Sequence, residues 1–163
     1  MLDKNWFENW YQKEDPWQYK VTPDDAFRKN KIINVLKEFG PFNRALDIGA
    51  GEGYVTESIP AERIHAIEIS DLAASRFPAN VTRVLEPDSK YDLVMTNGTL
   101  YSDYDHAYIA NTIKSCAVKY VLVAGIKSWL IDYNFGRIVH DEDFQYREYT
   151  QRLIVYEVGS QHR

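Results

Sequence analysis

The chain contains a single cysteine, Cys116, and no long apolar run. One cysteine cannot form an internal disulfide or a thiolate zinc site by itself, and such usage is typical of a reducing, cytoplasmic location. The longest apolar stretch, Tyr120–Ile126, is far below the roughly 20 residues of a membrane span, and no secretory signal is visible after Met1. The His, Cys and Asp spacing predicts no metal site. We therefore expect a cytoplasmic protein without a membrane partner.

Positive charge is also scarce, because 24 acidic residues outnumber 19 Lys and Arg residues and leave a net charge of −5. This balance argues against a protein that binds nucleic acid along a basic surface. A length of 163 residues fits one domain with at most a short appendage. We expect a monomer or a homodimer with no nucleic-acid partner.

Aromatic side chains are abundant, at 14% of the chain, and three of the four Trp residues lie within the first 17 positions. We divide the sequence into an aromatic amino-terminal segment, residues 1–22, and one domain over residues 23–163. The domain opens with a predicted helix that ends at Gly40, with Thr22 as its cap and Pro23 at its first position.

From there, strand and helix patterns alternate. The predicted strands are residues 44–48, 64–69, 81–85, 91–96 and 120–124. The predicted helices are residues 54–59, 72–77 and 103–118, the last capped by Ser102. This alternation predicts an α/β fold, a Rossmann-like three-layer sandwich with a mostly parallel seven-stranded sheet. Its last two strands, residues 145–150 and 152–158, are predicted to form a carboxyl-terminal antiparallel hairpin at one edge.

The first predicted strand runs into closely spaced glycines, in the sequence Asp47-Ile48-Gly49-Ala50-Gly51-Glu52-Gly53-Tyr54. A dinucleotide-binding loop needs its third glycine where Tyr54 stands, and the Lys of a P-loop is absent. A carboxylate at Asp47 repels a pyrophosphate but accepts hydrogen bonds from an ammonium group. The loop therefore favours a ligand that carries a cationic amine.

A second acid, Glu68, ends the second predicted strand, nineteen positions after Gly49. An acid at this place in a nucleotide-binding fold accepts both hydroxyls of a ribose. The pair Asp47 and Glu68 thus suits a nucleoside joined to an amino acid, a description that fits S-adenosylmethionine.

With these residues, the sequence resembles the class I S-adenosylmethionine-dependent methyltransferases over about residues 43–158. The resemblance implies Asp88 or Glu86 near the adenine amine, and it makes residues 91–101 the motif whose end lines the transferable methyl group. It places four further residues around the methionine and ribose portions of the cofactor: Asp47, Gly49, Gly51 and Glu68.

A narrower resemblance is visible in Asp15-Pro16-Trp17-Gln18-Tyr19 and in Phe27-Arg28-Lys29-Asn30-Lys31, which look like the opening of nodulation protein S-type N-methyltransferases. Those enzymes methylate an amine on a chito-oligosaccharide. Phe27 and Lys31 match the family's aromatic-Glu-x-x-Lys pattern, whereas Arg28 stands where the family has Glu.

The aromatic segment suggests a lid, because aromatic faces stabilise a cation such as a sulfonium without competing as nucleophiles. We expect Tyr11, Trp17 and Tyr19 to fold over the mouth of the cofactor site. The alternative is that these side chains pack the amino-terminal helix onto the domain.

Three residues are candidates for the catalytic side: Asn97 beside the methyl group, Tyr101 as a hydrogen-bond partner of the acceptor, and His106 as a base. Residues 86–105 also hold five acids against Lys90 alone, a cluster that could attract a cationic substrate beside the methyl group or simply begin a strand and a helix.

These features predict a methyltransferase that uses S-adenosylmethionine and a small-molecule acceptor, with an amine preferred. The acidic composition favours a small acceptor. Two alternatives remain, an O-methyltransferase of a sugar or small metabolite with His106 as its base, and a methyltransferase-like protein that binds without turnover.

Overall fold

Seven strands form one sheet in the computed structural model, which describes residues 1–159. The strands are β1 (Phe42–Ile48), β2 (Ala61–Ile67), β3 (Val81–Arg83), β4 (Tyr91–Asn97), β5 (Ala117–Ile126), β6 (Arg137–Tyr146) and β7 (Tyr149–Glu157). The helices are α1 (Lys4–Trp10), α2 (Pro23–Phe39), α3 (Asp71–Ala74) and α4 (His106–Cys116), with a short 3-10 helix at Thr56–Ser58. Residues 160–163, and His162 with them, lie outside the described part.

The strand order is β3-β2-β1-β4-β5-β7-β6. The first five strands are parallel, and β7 runs antiparallel to both of its neighbours. The predicted mostly parallel sheet with a carboxyl-terminal hairpin is therefore confirmed. Because the chain leaves β1 toward β2 on one side and returns as β4 on the other, the carboxyl ends of β1 and β4 border a crevice where ligands bind in such sheets.

The hairpin turn lies elsewhere than the sequence predicts. Arg147 and Glu148 form the turn, inside the run 145–150 that was expected to be a strand, and Arg147 has a positive φ of 52°. The partner strand instead begins at Arg137 and lies at the sheet edge. An edge strand with four charged residues in ten, three of them consecutive acids, lacks the apolar pattern by which a buried strand is recognised.

Helix bounds differ from the prediction at three places. The predicted helix 54–59 is only the 3-10 helix Thr56–Ser58. The predicted helix 72–77 is the shorter α3, Asp71–Ala74. Asp105, and not Ser102, caps α4, because its Oδ1 accepts the backbone N–H of Tyr108. Residues 98–105 consequently form a longer loop after β4 than the sequence predicts.

The sheet is covered on both faces, so the three-layer architecture is confirmed. On one face Ile32 and Leu36 of α2 pack with Leu93 and Met95 of β4, all of them buried. On the other face α4 packs against Val94 and the adjoining strands. Side chains alternate along a strand, so Asn97 shares the α2 face with Leu93 and Met95. No helix within residues 1–159 is long and apolar enough to cross a membrane.

Candidate functional site

A cavity of about 1330 Å³ lies over the carboxyl ends of β1, β2 and β4 and extends toward β5 and β7. Eight of the ten site residues proposed from the sequence line it, namely Trp17, Tyr19, Asp47, Gly49, Gly51, Glu68, Asn97 and Tyr101. The remaining two, Asp88 and His106, do not. The structure thus brings together most of a site whose parts are spread over 85 positions of sequence, from Trp17 to Tyr101.

Asp47 is buried at the end of β1 with one oxygen engaged and one free. The Thr56 hydroxyl donates to its Oδ2 at 2.7 Å, whereas Oδ1 is buried without a hydrogen-bond partner. Burial, together with the charge of Glu68, raises the pKa of Asp47 to about 7. A cationic donor in the cavity would satisfy the free oxygen and stabilise the ionised carboxylate.

Glu68 lies just beyond β2 and is held by backbone groups on both sides. Its Oε1 accepts the N–H of Gly51 at 2.7 Å, and its Oε2 accepts the N–H of Ser70 at 2.9 Å. Burial raises the pKa of Glu68 to about 7, although these two hydrogen bonds act in the opposite direction. Each carboxylate oxygen keeps further lone pairs, so the fixed side chain can still accept hydroxyl groups of a ligand.

Glycine is required in the loop between these acids because the backbone turns and its neighbours crowd it. Gly49 and Gly51 have φ angles of 79° and 61°. A Cβ on Gly49 would lie 2.4 Å from Thr99 Cγ2, and one on Gly51 would lie 3.0 Å from the Tyr11 hydroxyl. Any larger residue would therefore strain the backbone and displace the loop after β4 or the aromatic segment.

The aromatic segment forms one wall of the cavity. Trp17 Nε1 donates to the Tyr11 hydroxyl at 3.0 Å, and the Trp17 ring stacks on Tyr19 with centroids 6.2 Å apart. Tyr11 also packs with Phe7 and Ala73, which fixes α1 on α3. The two alternatives for these aromatics are thus not exclusive, since the same side chains pack α1 and line the cavity.

Glu52 of the glycine loop fastens this wall, a role that the sequence did not reveal. Its two carboxylate oxygens accept the backbone N–H of Asp15 at 3.0 and 3.2 Å. Arg76 donates to the same carboxylate at 2.9 Å. The loop that approaches a ligand is therefore tied directly to the segment that covers it.

On the β4 side, Asn97 and Tyr101 reach the cavity. Asn97 Oδ1 is buried without a hydrogen-bond partner. The Tyr101 hydroxyl accepts the N–H of Ile126 at 2.7 Å, and burial raises the pKa of Tyr101 to about 12. Tyr101 thus keeps its proton near neutral pH and can donate it in a hydrogen bond, while Asn97 offers an acceptor.

The structure places Asp88 and His106 away from these groups. Asp88 pairs with the Arg44 guanidinium and accepts the Tyr91 hydroxyl at 3.1 Å, at the amino ends of β1 and β4. His106 Nδ1 lies 2.7 Å from the Tyr133 hydroxyl. Neither side chain lines the cavity.

The acidic cluster of residues 86–105 is divided between the two edges of the sheet. Asp92 begins β4 and accepts the N–H groups of Asn43 and Arg44 at 2.8 Å each, so for Asp92 the alternative that it only begins a strand is confirmed. Asp103 and Asp105 line the cavity from the loop before α4. The cluster therefore does not form one acidic surface.

Two buried polar residues in the cavity wall were missed from the sequence. Arg28 is 5% exposed and Gln151 is 1% exposed, and each has side-chain N–H groups without a hydrogen-bond partner among the described residues. A signal existed for both. Arg28 precedes Ile32 by one helical turn on the apolar stripe of α2, and Gln151 alternates with Leu153 on the core face of β7.

No group of three or more His, Cys, Asp or Glu side chains within residues 1–159 is arranged to hold a metal ion. No protein-family model matches the sequence, and no curated protein matches it either.

Solved structures do match. The N-methyltransferase NodS from Bradyrhizobium japonicum WM9 in complex with S-adenosyl-L-homocysteine is 15% identical, with 96% of this chain and 98% of that chain covered and a TM-score of 0.81. The magnesium protoporphyrin IX methyltransferase ChlM from Synechocystis PCC 6803 with bound SAM is 14% identical, with 98% of both chains covered and a TM-score of 0.73. At these identities the likeness establishes the fold, and the chain has the α/β fold seen in solved S-adenosylmethionine-dependent methyltransferases.

Proposed function

We propose that the protein binds S-adenosylmethionine and transfers its methyl group to a small molecule, with an amine as the acceptor. The observation that carries this proposal is the pairing of two buried acids, Asp47 and Glu68, at the ends of neighbouring strands on one cavity. NodS and ChlM, which share the fold, were solved with SAH and SAM respectively.

The residues present fit the ammonium group, the ribose and the adenine of this cofactor. The free Oδ1 of Asp47 would accept the ammonium group, and Glu68 would accept the ribose hydroxyls. The apolar side chains of Ile69, Val84 and Leu85 line the cavity beyond Glu68 and would hold the adenine. Asp88 and Glu86 are left out of this proposal because neither lines the cavity.

When bound, the cofactor would supply a methyl group attached to a cationic sulfur. The lone pair of a nucleophile would form a new bond to the methyl carbon, and the electron pair of the broken carbon–sulfur bond would stay on the sulfur, which becomes a neutral thioether. The aromatic wall formed by Tyr11, Trp17 and Tyr19 would exclude water and place π-faces near the positive charge. The chain's own task is thus to position the two reactants and keep them dry.

An amine is the preferred acceptor because Asn97 Oδ1 lacks a partner and can accept an N–H hydrogen bond. O-methylation needs a base to remove the hydroxyl proton, and His106, the residue considered for that role, pairs with Tyr133 outside the cavity. The amine proposal now depends on Asn97, because the acidic cluster that first suggested a cationic substrate is divided.

Calorimetric titration with S-adenosylmethionine, S-adenosylhomocysteine and NAD tests cofactor choice. We expect heat from the first two ligands and none from NAD, and the reverse pattern would indicate a dehydrogenase. Transfer of a tritiated methyl group to a panel of amines and hydroxyl compounds tests the reaction. Binding without transfer to any of them would favour a protein that only binds, and transfer to hydroxyl compounds alone would favour O-methylation.

A further inference from the structure

A buried charge cluster lies at the end of the cavity that is formed by α2 and the β6–β7 turn. Asp25 is fully buried, accepts the Arg147 guanidinium at 2.6 Å and the Tyr146 hydroxyl at 2.6 Å, and lies 3.2 Å from Arg28 Nη2. Two guanidinium groups therefore share one buried carboxylate. Arg147 is partly solvated, with a side chain that is 33% exposed, whereas the Arg28 guanidinium is buried. A buried guanidinium that only shares a carboxylate favours an anion from outside the chain.

Arg28 is the member of the cluster with free donors. The Tyr19 and Tyr146 rings hold its guanidinium at 4.9 and 4.6 Å from their centroids. Its Nε has no hydrogen-bond partner among residues 1–159, and its Nη2 has only the 3.2 Å ion-pair contact with Asp25, although Arg28 is 5% exposed and lines the cavity. A guanidinium held in place with free N–H groups is suited to a planar carboxylate, which can accept two parallel hydrogen bonds.

Gln151 adds a second, independent free donor to the same end. Its side chain is 1% exposed and lines the cavity, and Nε2 is without a partner in the described chain. Gln151 lies opposite Ile126 of β5 and Phe144 of β6, whose neighbour Tyr146 contacts Arg28. Both free donors therefore lie on the β7 side of the cavity.

The free oxygen of Asn97 lies on the same face at a distance that a small molecule can bridge. Only β5 separates Asn97 on β4 from Gln151 on β7, so their backbones are on the order of 10 Å apart across the sheet. Trp129 and Tyr149 line the space with aromatic rings whose centroids are 5.0 Å apart. These rings would pack on the carbon chain of an acceptor.

We propose that Arg28 and Gln151 form an anion subsite for the acceptor, which is a small zwitterion with its amine at Asn97 and a carboxylate at Arg28 and Gln151. This proposal rests on the proposed function. The amine would enter as the free base after losing its proton to water, and the surplus proton on the methylated nitrogen would leave to water in turn. The carboxylate would give the buried Arg28 guanidinium a counter-charge that it does not share with Arg147, as it shares Asp25.

The test uses four amino acids of increasing chain length, each matched with the alkylamine that lacks its carboxylate. The pairs are glycine with methylamine, β-alanine with ethylamine, 4-aminobutyrate with propylamine and 5-aminopentanoate with butylamine. Binding to the full chain saturated with S-adenosylhomocysteine is measured by calorimetry, and methyl transfer is measured with a tritiated donor. We expect at least one amino acid to bind and react about tenfold better than its matched amine, as a charged hydrogen-bonded pair provides.

Three variants test which residues produce the preference for the amino acid over its matched amine. Arg28→Met removes the guanidinium but leaves Asp25 paired with Arg147, so the fold should persist, and Gln151→Leu removes the amide at similar volume. Both should lose the preference for the carboxylated member while the affinity for S-adenosylhomocysteine stays within about twofold. Arg137→Met, which removes an exposed arginine outside the cavity, is the control and should keep the preference.

The outcomes distinguish a failure of the anion subsite from a failure of the proposed function on which it rests. Equal use of amino acids and alkylamines, or no transfer to any of them while S-adenosylhomocysteine binds, would overturn the anion subsite alone. Tenfold weaker binding of S-adenosylhomocysteine by Arg28→Met would also overturn it, because Arg28 would then serve the carboxylate of the cofactor. Absence of S-adenosylhomocysteine binding by the unaltered chain would instead remove the proposed function.

Discussion

The two edges of the parallel sheet differ in whether their polar side chains have partners within the chain. At the amino edge, both Asp92 oxygens accept backbone N–H groups and Asp88 pairs with Arg44 and Tyr91. Eight buried side-chain polar atoms lack a partner in the described chain, and seven belong to residues that line the cavity at the carboxyl edge, with His140 as the exception. Each such atom costs about 1–3 kcal/mol. Their concentration at one edge indicates that ligands, and not the fold, complete these groups.

The largest expected effect comes from removing the charge of one acid at each edge. Asp47→Asn should lower the affinity for S-adenosylhomocysteine about 10- to 100-fold, because a charged hydrogen bond to the ammonium group is lost. Its free energy of unfolding should stay the same or rise, since a buried carboxylate is removed. Asp92→Asn should leave the affinity within about twofold but lower the free energy of unfolding by about 1–2 kcal/mol, because one backbone N–H then faces an amide donor. Calorimetry and urea denaturation measure the two quantities.

An Asp92→Asn variant that loses affinity as strongly as Asp47→Asn would break the contrast between the edges. The contrast would also fail if Asp47→Asn lowered the free energy of unfolding but left the affinity for S-adenosylhomocysteine unaltered.

A smaller effect is expected at the aromatic wall. Trp17→Ala removes a ring that stacks on Tyr19 and a hydrogen bond to Tyr11, and it should weaken S-adenosylhomocysteine binding about three- to tenfold. Trp10→Ala is the matched control, because Trp10 packs on Trp17 with centroids 4.9 Å apart but does not line the cavity. It should change the affinity by less than about threefold. Equal losses in the two variants would mean that the wall only supports the fold.

The smallest effect is expected at Asp88, and it tests whether the adenine of the cofactor binds near this residue. The Asp88 side chain is 53% exposed, so its ion pair with Arg44 should contribute only about 0.2–1 kcal/mol to stability. Asp88→Asn should leave S-adenosylhomocysteine affinity unchanged in the same calorimetric assay. A tenfold loss would return Asp88 to the adenine site that the sequence resemblance implied.

Local patterns in the sequence predicted the sheet and the donor end of the cavity. Asp47 and the glycines follow an apolar strand, and Glu68 follows the next one, so the direction of parallel strands alone brings them together. The resemblance of residues 91–101 to a methyltransferase motif likewise implied Asn97 beside the site, and Asn97 lines the cavity.

Contacts between distant segments could not be predicted in the same way. Asp88 follows β3 in sequence, but the fold returns it to Arg44, 44 positions earlier, where an ion pair holds it. Arg28 departs from the pattern of the resembling family, and its surroundings depend on Tyr146 and Arg147 from the far end of the chain. The turn at Arg147 is set by pairing along an edge strand whose charged sequence carries little periodic signal.

Proton release on ligand binding tests the central claim most directly. Asp47 has a pKa of about 7, so at pH 7 it is about half protonated, and an ammonium group bound to it would favour the ionised form. Titrating S-adenosylhomocysteine in buffers of different ionisation enthalpy at pH 7 should show net proton release, to which Asp47 and Glu68 both contribute because each has a pKa of about 7. The affinity should rise with pH up to the pKa of about 7, and Asp47→Asn should reduce the release by the share of Asp47. Proton uptake, or no proton exchange in the unaltered chain, would contradict the claim that Asp47 holds the amine of an adenosyl amino acid.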